Sequence, residues 1–132
     1  MTKEDVNKFE KVQSQIEGLL LEVTNLAKKS PNDAVNKFKL KFINEILIEA
    51  NTILGKAYKP LSSFEKFDED DLPSNSDVSF ILSQYLSCFE KLRADNIYRK
   101  KEYDGNKYFY EWYWLIDKAE SSVKTAPPKK IK

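Results

Sequence analysis

The sequence predicts a mainly α fold: a three-helix bundle built on a long antiparallel helical hairpin, with a small aromatic β-hairpin at the C-terminus. Apolar residues recur at helical spacing through three long segments. Only a Ser-Pro step separates the first segment from the second. The C-terminal third gathers aromatic residues around an Asp-Gly step, a strong short-range hairpin signal. The alternative fold is a four-helix bundle in which the last segment is also helical.

In residues 3 to 29, Phe9, Val12, Ile16, Leu19, Val23 and Leu26 alternate spacings of three and four, an a/d seam. Thr2 with Asp5 resembles a capping box, with Asp in place of the usual Glu or Gln. A helix of this length reaches roughly 40 Å and needs a partner of similar length. Ser30 reads as an N-cap and Pro31 as a first helical residue, so helix two is expected to follow at once and pack antiparallel. Its apolar set is Val35, Phe38, Phe42, Ile46, Leu47, Ala50, Ile53 and Leu54, widened by Leu40, Ile43 and Ile48, with Asn44 and Asn51 elsewhere on the wheel. Gly55 is the expected stop.

Between Lys59 and Ser76 the periodicity lapses. Residues 64 to 77 hold six acids against one base, a local charge of −5. Phe64 and Phe67 suggest that part of this long loop is tacked onto the bundle, and connections of such length are often functional or mobile. Ser74 to Asp77 form a dense cap signal for a third helix running to about Ala94, with Val78, Ile81, Leu82, Tyr85, Leu86, Phe89 and Leu92 at helical spacing.

Residues 91 to 132 carry eleven bases and six acids, a local charge of +5, so the chain is electrically polarised although its net charge is only +1. Asp104-Gly105 reads as a type I′ turn between strands at Ile97 to Tyr103 and Asn106 to Asp117. Tyr108, Tyr110, Trp112, Trp114 and Ile116 then face one way and Phe109, Glu111, Tyr113 and Leu115 the other, and Val123 begins a possible third strand. A helical reading instead puts Phe109, Trp112, Tyr113 and Ile116 on one face. Residues 1–124 form a single domain, with the aromatic hairpin at about 97–124, and residues 125–132 are expected to be a flexible basic tail.

The absence of histidine removes the commonest general base, nucleophile partner and zinc ligand. Cys88 is the single cysteine, without a histidine to activate it, and is expected to be a small buried apolar side chain. The contiguous acids of the loop match no calcium-loop spacing. Glu45 and Glu49 on helix two, with Glu90 on helix three, fall short of a carboxylate cluster and read as a solvated face. The expectation is a non-enzyme with no cofactor and no metal. The opening Met-Thr-Lys-Glu-Asp is no signal peptide, and no apolar run approaches the roughly 20 residues of a membrane span, so a cytoplasmic protein without a membrane partner is expected.

Of the seven residues Tyr108 to Trp114, six are aromatic. Together with Arg99, Lys100, Lys101 and Lys107 they suggest a docking surface built from Tyr108, Tyr110, Trp112 and Trp114, because Trp, Tyr and Arg dominate protein hot spots. Single-stranded nucleic acid is recognised by the same mixture of stacking and phosphate attraction, and completion of the core is the plain alternative. The expected function is that of an interaction protein (adaptor, inhibitor or small subunit of a larger assembly) with a protein partner. The alternative is a nucleic-acid or nucleotide-binding accessory protein. The heptad seam of helix one also leaves a homodimer open.

Overall fold

A computed structural model describes residues 1–129. Three helices, α1 (Lys3–Lys29), α2 (Lys37–Tyr58) and α3 (Asn75–Ala94), precede an antiparallel sheet of β1 (Ile97–Asp104), β2 (Lys107–Ile116) and β3 (Ala119–Thr125), in the order β1-β2-β3. The last segment is therefore neither a fourth helix nor a lone hairpin but a three-stranded meander.

The capping box of α1 forms as its residues predict: the Asp5 amide donates to Thr2 Oγ1 and the Thr2 amide to Asp5 Oδ2, both at 3.0 Å. Phe9, Val12, Ile16 and Val23 are buried against this chain's own α2 and α3. These four seam positions are therefore spent inside one molecule and present no face to a second copy.

Helix α2 does not begin at Ser30-Pro31. Its N-cap is Asn36, whose side chain accepts from the Lys39 amide at 2.8 Å. The carbonyls of Pro31 and Asp33 are taken instead by the amides of Ser76 (3.1 Å) and Asn75 (2.8 Å), two donors of the first turn of α3 that its own helix cannot satisfy. A tertiary bond thus overrides a good local helix start. At the other end helical geometry breaks at Gly55, φ 63°, as its position suggests, but one further turn carries the segment to Tyr58.

The core face of α2 also differs from the expected one. Leu40, Ile43, Leu47 and Ala50 are fully buried, whereas Phe38, Phe42 and Ile48 are exposed. Both stripes satisfy a helical period, and the placement of α1 and α3 selects between them. Asn44 sits on the buried side, where its amide exchanges two 2.9 Å hydrogen bonds with the backbone of Phe67. Asn51 accepts from the Tyr85 hydroxyl and donates to the Glu65 carbonyl. These side chains pin the long loop, with Phe64 packed against Phe67 and Tyr85 at 5.2 and 6.3 Å between ring centroids.

The loop's length has a topological cause. Gln13 meets Glu90 and Thr24 meets Ser79, so α1 is antiparallel to α3. Tyr58 meets Asp95 and Asn51 meets Tyr85, so α2 and α3 run parallel. A chain leaving the end of α2 must return the length of a helix, roughly 30 Å for α3, before α3 can start. The acidic run occupies a 3₁₀ turn, Glu69–Asp71, within that crossover.

The sheet is attached to the helices through β2. Trp114 is completely buried, edge-on to Phe9 at 5.1 Å, and its indole N–H donates to Glu10 at 2.8 Å. The Leu115 amide donates to the Asn96 carbonyl and the Asp117 amide to that of Met1. The chain turns from β1 into β2 at Gly105-Asn106 rather than Asp104-Gly105. Gly105 has φ 63° and Asn106 has no positive φ, the pattern of a II′ turn rather than I′. Asp117 and Lys118, both with positive φ, carry the chain from β2 into β3.

The expected tail at 125–132 is shorter than its composition suggests. Thr125 pairs with Trp112 in the sheet, and the carbonyls of Ala126 and Pro127 accept from the buried guanidinium of Arg93. Residues 130–132 of that tail lie outside the described residues.

Candidate functional site

Pairing with β3 covers β2 only from Trp112 to Ile116. The five residue pairs from Lys100↔Glu111 to Asp104↔Lys107 continue past it as a two-stranded arm, roughly 17 Å long at the rise of an antiparallel strand. Its root is held by Trp114 and Ile97, both buried.

The register assigns each side chain to a face, because side chains opposite one another in a ladder lie on the same side. Ile97↔Trp114, Arg99↔Trp112, Lys101↔Tyr110 and Tyr103↔Tyr108 share the front, which begins in the core and becomes exposed toward the tip. Trp112 is half-buried at the boundary. Beyond it Tyr110, Tyr108 and Tyr103 are 46%, 58% and 70% exposed, a gradient that places the accessible rings at the end of the arm. The Arg99 guanidinium lies 4.0 Å from the centroid of the Tyr110 ring, and Lys101 Nζ lies 4.0 Å from that of Tyr108 and 5.6 Å from that of Tyr103. Each close contact is diagonal across the ladder, and Tyr108 meets Tyr110 edge-on at 5.9 Å. Cation–π contacts of this kind contribute about 0.5–1 kcal/mol each at exposed sites.

The three acids of the arm, Glu102, Asp104 and Glu111, are all on the back. The front therefore carries two cations and no acid. On the back Lys100 stands opposite Glu111 and Lys107 opposite Asp104. Tyr113 stacks on Tyr98 at 5.7 Å and donates to Glu102 at 2.9 Å, a bond that lifts the phenol above its ordinary range. The Tyr98 hydroxyl donates to the Ser121 carbonyl.

The structure thus divides the residues singled out from the sequence. Arg99, Lys101, Tyr108 and Tyr110 come together on the front, with Trp112 at its root. Lys100 and Lys107 fall on the opposite face, because alternation along a strand separates neighbours. Trp114 is withdrawn from the docking set, since no partner reaches a fully buried indole. Tyr103, not singled out from the sequence, joins the front: its two-residue spacing from Lys101 puts it on that face whichever two residues form the turn.

The other candidate chemistries resolve structurally. Glu90 is buried rather than solvated. It accepts from Gln13 at 2.5 Å and pairs with Arg93, whose guanidinium also clasps the chain after β3. Glu45 and Glu49 are exposed. Cys88 is half-buried on α3, where burial pushes its thiol up rather than down. Among the described residues no three His, Cys, Asp or Glu side chains converge as metal ligands, and no helix is long and apolar enough to cross a membrane.

No family model, curated protein or solved structure matches this chain, so its site is read from geometry and chemistry alone.

Proposed function

We propose that this is a non-catalytic interaction protein, an adaptor, inhibitor or small subunit, that docks on a protein partner through the front of its arm. The observation that carries the reading is the front itself: three exposed tyrosines interleaved with Arg99 and Lys101, free of acids and projected beyond the body of the molecule. Tyrosine and arginine supply large contact area at low entropic cost, which is why they dominate hot spots. A protein partner is favoured over nucleic acid because Arg99 and Lys101 already lie against the Tyr110 and Tyr108 rings, the surfaces on which bases would stack. The acidic crossover holds its negative charge in the loop between α2 and α3, away from the arm in the chain.

The test is retention from an extract of the source cells, comparing the wild-type chain with Tyr108→Ser/Tyr110→Ser at low and high salt. The expected result is a stoichiometric protein that survives high salt on the wild type and is lost from the variant, with unchanged far-UV circular dichroism. Co-eluting nucleic acid that disappears at high salt supports the nucleic-acid reading instead. Equal retention by both chains removes the arm from the function.

A further inference from the structure

The outward face of α2 belongs to a different element from the arm. Phe38, Lys41, Glu45, Ile48 and Thr52 are spaced 3, 4, 3, 4 and form one strip, with Phe42 beside it, and all six are exposed. Phe38, at 84%, is the most exposed large hydrophobic side chain among the described residues. Beside the other end of the strip, α1 and α2 leave a groove of about 320 Å³, lined by Val12, Ile48 and Ile53 with Lys8, Lys11 and Glu49 beside them. The charges are ordered along the same face, Lys37 and Lys41 preceding Glu45 and Glu49. A surface with a ring at one end, a groove at the other and opposite charges between them is complementary to itself under a two-fold rotation. Its flanks are already occupied: Glu22 of α1 pairs with Lys39 at 2.7 Å on one side, and Asn44 and Asn51 hold the crossover on the other. The strip between them is left open to one helix at a packing distance of about 8–10 Å.

We propose that a second copy of this chain covers the strip, α2 packing antiparallel on α2 about a two-fold axis level with Ile43. In this register Lys41 stands opposite the copy's Glu45, and Phe38 opposite the copy's Ile48. Each Lys41 also has Glu45 of its own helix one turn away, so the four side chains form a ring of alternating charge across the axis. Helical side chains lean toward the N-terminus of their helix, which carries each Phe38 ring past Ile48 to the level of Glu49 and the copy's groove. The two Phe42 side chains lie within one residue of the axis level and meet beside it. Sliding the copy by one turn in either direction sets Lys41 against Lys41 or Glu45 against Glu45. The charges therefore select the same register as the ring and the groove.

Charge reversal and one assay test the interface. Sedimentation velocity from about 10 μM to about 1 mM spans the range of a small interface, and the wild-type chain is expected to pass from monomer to dimer within it. Lys41→Glu and Glu45→Lys each set like charges across the axis, and each is expected to weaken self-association by about tenfold or more. Mixed in equal amounts, the two variants are expected to bind each other about tenfold or more tightly than either binds itself, because every charge in the ring then faces its opposite on the other chain. Phe38→Ser, at an exposed position, is expected to weaken the dimer by a similar factor with unchanged far-UV circular dichroism. A wild-type chain monomeric at the highest concentration overturns the pairing. So does a dimer undiminished in folded Lys41→Glu and Glu45→Lys chains, or a failure of the two variants to associate on mixing. If either charge variant does not fold, Phe38→Ser decides, and a dimer undiminished by it overturns the pairing.

Discussion

Replacing Trp114 by alanine tests whether the sheet is part of the folding unit or an appendage. The indole is completely buried, packs edge-on against Phe9 and donates to Glu10. A tryptophan of this kind removes about 150–250 Å² from water, or about 4–6 kcal/mol at ~25 cal/mol per Å². That is an upper bound, since the unfolded chain already hides part of this area. Losing the hydrogen bond adds little, because Glu10 is exposed and water replaces the indole N–H. The expected loss is therefore about 4 kcal/mol, within the usual range for Trp→Ala, against a total of about 5–15 kcal/mol for a domain of this size. Urea unfolding followed by far-UV circular dichroism measures it directly, as a lower midpoint at unchanged slope. Tyr108→Ala, out on the arm, should change stability by less than about 1 kcal/mol. A Trp114→Ala loss below about 1.5 kcal/mol would refute the reasoning, since the sheet would then not be anchored through β2.

The buried Gln13–Glu90–Arg93 group yields a second prediction. Glu90→Ala leaves the Arg93 guanidinium buried beside carbonyls but without its carboxylate, at an expected cost of about 3–5 kcal/mol. Glu90→Ala/Arg93→Met should recover much of that cost, and additive effects in the double-mutant cycle would show that the pair is not coupled. Tyr85 makes a third. Burial pushes its phenol up to about 12, so the folded state holds this proton more tightly than the unfolded state does. Its contribution is fully present below the unfolded value near 10 and is lost as pH rises from there toward 12. Tyr85→Phe should flatten that alkaline decline relative to wild type, while costing about 1 kcal/mol near neutrality through the lost bond to Asn51. Parallel slopes for the two proteins above pH 10 would contradict the assignment.

What the chain settles by itself is local. Thr2 and Asp5 cap α1, and Ser74 caps α3, because the donors and acceptors lie within one turn of each other. Four of the six a/d positions of α1, Phe9, Val12, Ile16 and Val23, are buried as their spacing requires, and Leu19 and Leu26 are half-buried. Alternation in the aromatic segment separates Tyr108, Tyr110, Trp112 and Trp114 from Phe109 and Tyr113 whatever packs against them. These features depend on residues a few positions apart, and the periods of helix and strand carry them directly.

Tertiary contacts decided the rest. The start of α2 moved from Pro31 to Lys37 because α3 needs the carbonyls of Pro31 and Asp33. Phe38 and Phe42 lost the core to Leu40 and Ile43 because one helix carries two apolar stripes and only its neighbours choose between them. Trp114 became core while Tyr108 and Tyr110 became surface, although all three lie on one face of one strand. The difference between them is distance along the strand from the helices and from the end of β3. That quantity is set by where distant segments stop, and no local pattern encodes it.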